Sequence, residues 1–175
     1  MKKLFLIVVM LVLAGCAGME RAADAGKPIE FVLDVPGKTK DQLFSASKSW
    51  IAETFVSGKS VIDDADKDSG RIIAKGNIKH PCEQAHGCLM NVSIGFTLRI
   101  DTRDGKLKAT YTNATVIHPP TNGYAVGMTY VQGSAGSESA IFMTGDLADA
   151  KKAFKNLSDE LQHYAANESA TAKSW

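Results

Sequence analysis

Residues 80–88 read HPCEQAHGC and bring two histidines and two cysteines, His80, Cys82, His86 and Cys88, into one short stretch. Imidazole nitrogens and thiolates are the donors that tetrahedral zinc accepts, so these four residues could form one Cys2His2 ligand set. The spacing is cramped beside the usual finger pattern, in which a longer segment separates the ligand pairs. The competing chemistry is oxidation of Cys82 and Cys88 to a disulfide at the neck of a strand connection. Closing so short a loop removes about 2 kcal/mol of chain entropy. Four acids, Asp63, Asp64, Asp66 and Asp68, cluster in the run DDADKDSG. Oxygen-ligand cations such as calcium favour such clusters, but the bidentate glutamate that completes an EF-hand loop is missing. A solvated turn is the expected reading.

The tetrad Ser45-Ala46-Ser47-Lys48 matches S-x-x-K, the nucleophile motif of serine β-lactamases and penicillin-binding proteins. One helical turn places the amine near the hydroxyl, yet the S-D-N and K-T-G partners are absent. A solvated helix face accounts for it better. No G-x-S-x-G, H-E-x-x-H or phosphate-binding P-loop occurs. The chain therefore offers isolated candidates rather than a converging catalytic set, and it is read as non-catalytic, without a cofactor. With 175 residues and a formal net charge of +1, the Lys and Arg are scattered, which speaks against a nucleic-acid partner.

The third cysteine, Cys16, closes the apolar run of MKKLFLIVVMLVLAGC. Lys2 and Lys3 form a basic start, and Leu4 to Leu13 are uniformly apolar. That core is shorter than the roughly 20 residues a membrane-spanning helix needs and fits a secretory signal. The tetrapeptide Leu13-Ala14-Gly15-Cys16 resembles the lipobox of bacterial lipoproteins. The resemblance implies cleavage after residue 15, a diacylglycerol thioether on Cys16 and an acylated, for instance palmitoylated, amino group. Two or three acyl chains anchor stably where one is marginal. Loss of Lys2 and Lys3 takes the formal charge from +1 to about −1. Ala17, rather than an aspartate, follows the cysteine, which resembles the outer-membrane sorting pattern. An exported chain lives in an oxidising compartment, and with Cys16 taken by lipid, Cys82 and Cys88 remain to pair. The disulfide is the expected state, and the metal set is its alternative.

The expected organisation is a signal over 1–15, a lipidated cysteine and flexible tether over 16–28, one domain over 29–165 and a disordered tail over 166–175. Within the domain, Ile29, Phe31, Leu33 and Val35 alternate as a first strand. Thr39 and Gln42 match a capping box ahead of a helix with Leu43, Ser47, Trp50, Ile51 and Phe55 on one stripe. Val61 to Ala65 and Arg71 to Ile78 flank the turn-forming KDSG. Met90 to Ile100 alternates strictly, and Asp104-Gly105 turns it back. The returning strand changes apolar parity near Asn113, the signature of a bulge. A last helix starts near Asp146. The order β-α-β-β-β-β-α predicts an α+β fold, an antiparallel sheet with two helices on one face.

The run FVLDVPGKTKDQLFSASKSWIAETF, the turn DKDSG and the long alternating strand resemble the domain of unknown function 4468, a family found largely in bacterial envelope proteins. The resemblance covers about Ile29 to Val116 and implies a TBP-like fold. The shared residues are turn chemistry, capping and core, so function stays open. The long segment from Pro119 to Gly145 is functional, mobile, or hides short strands. Its Tyr124, Met128 and Tyr130, with Phe142, suit an adaptable contact surface or the cover of a sheet edge. The combined reading is a lipid-anchored outer-membrane lipoprotein facing the periplasm, binding an unknown envelope protein or component without catalysis. A small-molecule carrier, with a groove between helices and sheet, and an enzyme of unrecognised type are the alternatives.

Overall fold

The computed structural model describes residues 21–55, 61–83, 91–122, 124–126 and 129–171. The elements follow in the order β1 (Ile29–Asp34), α1 (Lys40–Thr54), β2 (Val61–Asp66), β3 (Arg71–Lys79), β4 (Ser93–Arg103), β5 (Lys106–His118), β6 (Tyr124–Val126), β7 (Thr129–Val131), β8 (Ser137–Ala140) and α2 (Thr144–Thr171). The main sheet runs β1-β5-β4-β3-β2, with β8 added beside β5, and every pairing in it is antiparallel. This is the expected α+β plan with a sixth strand drawn from the long 119–145 segment. That segment also contains a separate hairpin of β6 and β7, so it hides short strands.

Strict alternation sets the faces. Ile94, Phe96, Leu98 and Ile100 of β4 are buried, and Leu107, Ala109 and Tyr111 join them from β5. Gly95 pairs with Thr115 while Thr97 pairs with Thr112, so β5 carries one extra residue there. Asn113 takes up the irregularity at φ +51°, the bulge that the parity change implied. Val116 consequently returns to the buried side.

The capping box of α1 is present in both halves: Thr39 Oγ1 accepts from the Gln42 N–H at 3.3 Å, and Gln42 Oε1 accepts from the Thr39 N–H at 2.9 Å. The β4–β5 turn adds a third clasp, since Asp104 Oδ1 accepts from the Lys40 N–H at 2.7 Å. At the neighbouring β2–β3 turn, on the same end of the sheet, Gly70 has φ +71° and lies so close to Thr102 that a Cβ would sit 2.6 Å from its Oγ1. Only glycine fits there, and Thr102 returns both its N–H and its hydroxyl to the Gly70 carbonyl at 2.8 and 3.0 Å.

Both helices cover one face. Leu43, Phe44, Trp50 and Ile51 of α1 and Leu147, Phe154, Leu157 and Leu161 of α2 are buried. At the centre Tyr111 stacks on Phe154 with ring centroids 4.3 Å apart, and Phe96 meets both edge-on. Such pairs add about 0.5–1.5 kcal/mol each beyond their buried area. The Tyr111 hydroxyl, which cannot be left dry without a partner, meets Ser158 Oγ at 3.0 Å, and Ser158 donates to the Phe154 carbonyl at 2.8 Å.

Two boundaries differ from the expected ones. Helix α2 runs to Thr171 through residues read as a disordered tail. Ala165, Ala166 and Ala170 are strong helix formers, and Ala165 is fully buried. The stretch read as a flexible tether is fastened from Arg21 onward. Arg21 bridges Met143, the Ala22 N–H donates to the Phe142 carbonyl at 2.9 Å, and Asp24 pairs with Lys151. The composition of that stretch suits a tether, but it cannot disclose a partner carboxylate–ammonium pair so distant in sequence.

Candidate functional site

The face of the sheet away from the helices is open, and its residues follow from the same alternation that builds the core. Arg71, Lys75 and Asn77 of β3, Thr97, Arg99 and Asp101 of β4, and Lys106 and Lys108 of β5 occupy the positions between the buried ones. Charges are paired across strands: Lys108 with Glu30 at 2.9 Å, Lys106 with Asp34 at 3.4 Å, and Lys75 with Asp63 at 3.1 Å. Arg99 donates twice to Asp101, from Nε at 3.1 Å and from Nη2 at 2.8 Å. That carboxylate holds the Arg99 guanidinium above its ordinary pKa. Exposed ion pairs of this kind are worth little stability each, but they fix where each charge stands.

Two depressions mark this face. One, of about 500 Å³, is lined by Arg99, Arg103, Lys106 and Lys108, with Val32 and Asp68 among its other walls. Val32 is 64% exposed, an apolar floor beside a mostly cationic wall. The other, of about 400 Å³, lies over Gly95 among Asn77, Thr97, Asn113, Thr115 and Glu138. It exists because Gly95 has no side chain: a Cβ there would meet Thr115 Oγ1 at 2.8 Å and Ile117 Cδ1 at 2.9 Å. Both are shallow, open recesses of mixed polar and apolar lining, suited to surface recognition. The space between helices and sheet, where a carrier would hold its ligand, is filled by Phe96, Tyr111 and Phe154.

A second polar locus lies under the first turns of α2. His80 is 2% exposed and Asp149 fully buried. His80 Nε2 is 3.6 Å from Asp146 Oδ1, and its Nδ1 is 3.8 Å from Asp149 Oδ2. His80 Nδ1 also accepts from the Cys82 N–H at 3.0 Å, and Asp149 Oδ2 accepts from the Glu83 N–H at 3.0 Å. Lys152 pairs with Glu83. A flanking loop histidine is expected to be exposed; His80 is instead a strut that ties the cysteine segment to α2. Sequence reasoning missed Asp149. The stripe of Leu147, Ala150 and Phe154 gives no signal for it, because Asp149 stands about 200° around the helix from Leu147.

Of the four residues of the metal alternative, His86 and Cys88 lie outside the described residues, as does the lipidation candidate Cys16. Cys82 is described and sits at φ +57°. Among the described residues, no group of three or more His, Cys, Asp or Glu is arranged to hold a metal ion. The acid cluster is spent on its neighbours: Asp63 on Lys75, Asp64 on Arg71, and Asp66 on the N–H groups of Asp68 and Ser69. Hydrogen bonds from Ser69 hold the Asp66 carboxyl below the usual range. Ser45 and Lys48 are both exposed on α1. Tyr124 and Tyr130 fall in the β6–β7 hairpin, where Tyr124 pairs with Val131 and Tyr130 with Ala125. Met128 lies outside the described residues. Phe142, 42% exposed, lies apart from that hairpin, between β8 and α2.

Among known proteins, the family described as a domain of unknown function (DUF4468) with TBP-like fold matches residues 30–116. A TBP-like protein from Parabacteroides distasonis ATCC 8503 has a similar crystal structure, with a TM-score of 0.59 at 14% identity, covering 87% of this chain and 98% of that one. A DUF4468 family protein from Bacteroides ovatus ATCC 8483 gives a TM-score of 0.52 at 11% identity, covering 86% of this chain and 89% of that one. At such identities the likeness establishes fold. No curated protein matches.

Proposed function

For a chain that belongs to the DUF4468 family of TBP-like fold through residues 30–116, we propose a role as a lipid-anchored envelope lipoprotein. In this reading its single domain faces the periplasm from the outer membrane and binds an envelope protein or component without catalysis. Cys16, carrying the acyl chains, supplies the anchor, and a Cys82–Cys88 disulfide closes the loop after β3. The lipobox-like Leu13-Ala14-Gly15-Cys16 supports the first assignment, and the oxidising compartment of an exported chain supports the second. The observation that carries the binding role is the open sheet face: both helices pack on the other side, leaving polar side chains and two shallow recesses uncovered. A tether raises local concentration at the membrane, so weak recognition by such a face suffices.

Two measurements test this reading. Intact mass of membrane-extracted protein, alkylated with and without prior reduction, is expected to show a chain starting at Cys16 with acyl mass and two thiols freed only by reduction. A photo-crosslinking residue at Lys75, on the open face, is expected to give an adduct in living cells, whereas one at Lys48 on α1 gives none. An unacylated chain overturns the anchor. An acylated chain that crosslinks equally from both positions, or from neither, overturns the binding face.

A further inference from the structure

In the anchored reading, four residues, 17–20, separate the lipid-bearing Cys16 from Arg21, the first described residue. Cys16 and Arg21 are five peptide steps apart in the sequence, which at full extension is about 18 Å. From Arg21 the chain is held: the bridge to Met143, the Ala22 N–H to the Phe142 carbonyl at 2.9 Å, and the turn bonds from Ala25 to Ala22 and from Lys27 to Asp24. The Asp24–Lys151 pair locks that turn to α2. The Ile141 N–H donates to the Ala114 carbonyl at 3.1 Å, so this entry point sits at the edge of β5 between the end of β8 and the start of β1. From there to Lys106, at the far end of β5, the strand rises about 26 Å. The tether is shorter than that span.

Resting on the anchored reading above, we propose that this entry corner, with Arg21 and Phe142 at its surface, is held against the bilayer that carries Cys16. The arginine-lined end of the sheet around Arg103 is thereby held away from it. Phe142 is one of two large apolar side chains markedly exposed among the described residues, the other being Val32. It sits directly beside the entering strand, next to the exposed Arg21. An exposed aromatic ring with a neighbouring cation is what an interface of acyl chains and anionic headgroups accommodates. Val32, by contrast, floors the recess that contains Arg103. In this orientation the recess faces partners in the periplasm rather than its own membrane.

The test uses the full chain, processed in cells, extracted from membranes and reconstituted in phosphatidylethanolamine–phosphatidylglycerol vesicles whose headgroups carry nitroxide quenchers. A small fluorophore is placed in separate proteins through Phe142→p-azidophenylalanine and Arg103→p-azidophenylalanine. Both positions are at the surface, and a melting curve of each labelled protein selects those that keep the wild-type transition. The expected result is loss of most of the emission at 142 and retention of it at 103. Equal quenching at the two positions, or stronger quenching at 103, overturns the orientation while leaving the anchor standing, provided intact mass shows the acyl groups. Absence of acyl mass removes the anchor and the orientation together.

Discussion

Tyr111 shows how one residue sets a pH limit on this fold. Its ring is stacked on Phe154 and its hydroxyl is buried against Ser158. Burial, the dominant effect, pushes the phenol well above its ordinary value, partly opposed by the Ser158 hydrogen bond. The unfolded chain ionises its tyrosines near pH 10, whereas the folded chain keeps Tyr111 neutral. Its contribution is therefore complete below about pH 10 and lost as pH rises beyond that toward the folded value. Tyr111→Phe is expected to cost about 1 kcal/mol at neutral pH. It is also expected to make the alkaline fall in stability shallower, as read from denaturant midpoints across that range. An unchanged slope would show that the phenol does not govern the alkaline limit.

At the scale of elements, α1 depends on its first turn. Thr39, Gln42 and Asp104 supply acceptors to N–H groups that an isolated helix leaves unpaired. Thr39→Ala is expected to lower stability by about 1 kcal/mol in chemical denaturation, with the gap between helix and β4–β5 turn registering in amide exchange at Lys40. The capping box, the strict alternation of β4 and the bulge at Asn113 were legible in the sequence because each is a local rule. They depend on residues three apart, on parity, or on one break in parity. Strand β8 was not legible, since SESA has neither hydrophobic alternation nor strong strand formers, and its strand form comes from pairing with Thr115–His118. The His80–Asp149 locus was half legible. The histidine was visible as a candidate ligand, but its real neighbour lies 69 residues away on α2 and was hidden by distance rather than by chemistry.

For the molecule as a whole, the fastening of residues 21–27 to α2 decides how rigidly the fold follows the chain that enters it. The Lys151 hydrogen bond holds the Asp24 carboxyl below its ordinary range. A carboxyl so lowered contributes above its unfolded pKa, and the contribution is lost as pH falls through the folded value. Asp24→Asn is expected to speed amide exchange at Ala22, Ala25 and Lys27 at neutral pH while leaving exchange in β4 unchanged. In the parent protein, acidification through the carboxylate range is expected to produce the same local loosening. Exchange that rises equally in β4 would instead mark Asp24 as a support of the entire fold.

The bulge at Asn113 has a further consequence at this scale. By bending β5 at its middle, it separates the part paired to β1 from the part paired to β8, so one side of the sheet ends in two short strands with an interruption between them. The other side ends in β2, VIDDAD, which has its own irregularity between Ile62 and Asp64 and carries Asp63 and Asp64 exposed. Long, flat, uncharged borders are what recruit a neighbouring chain into a shared sheet. Neither border here is of that kind, so under the anchored reading proposed above, copies concentrated on a membrane surface crowd together without strand-to-strand polymerisation.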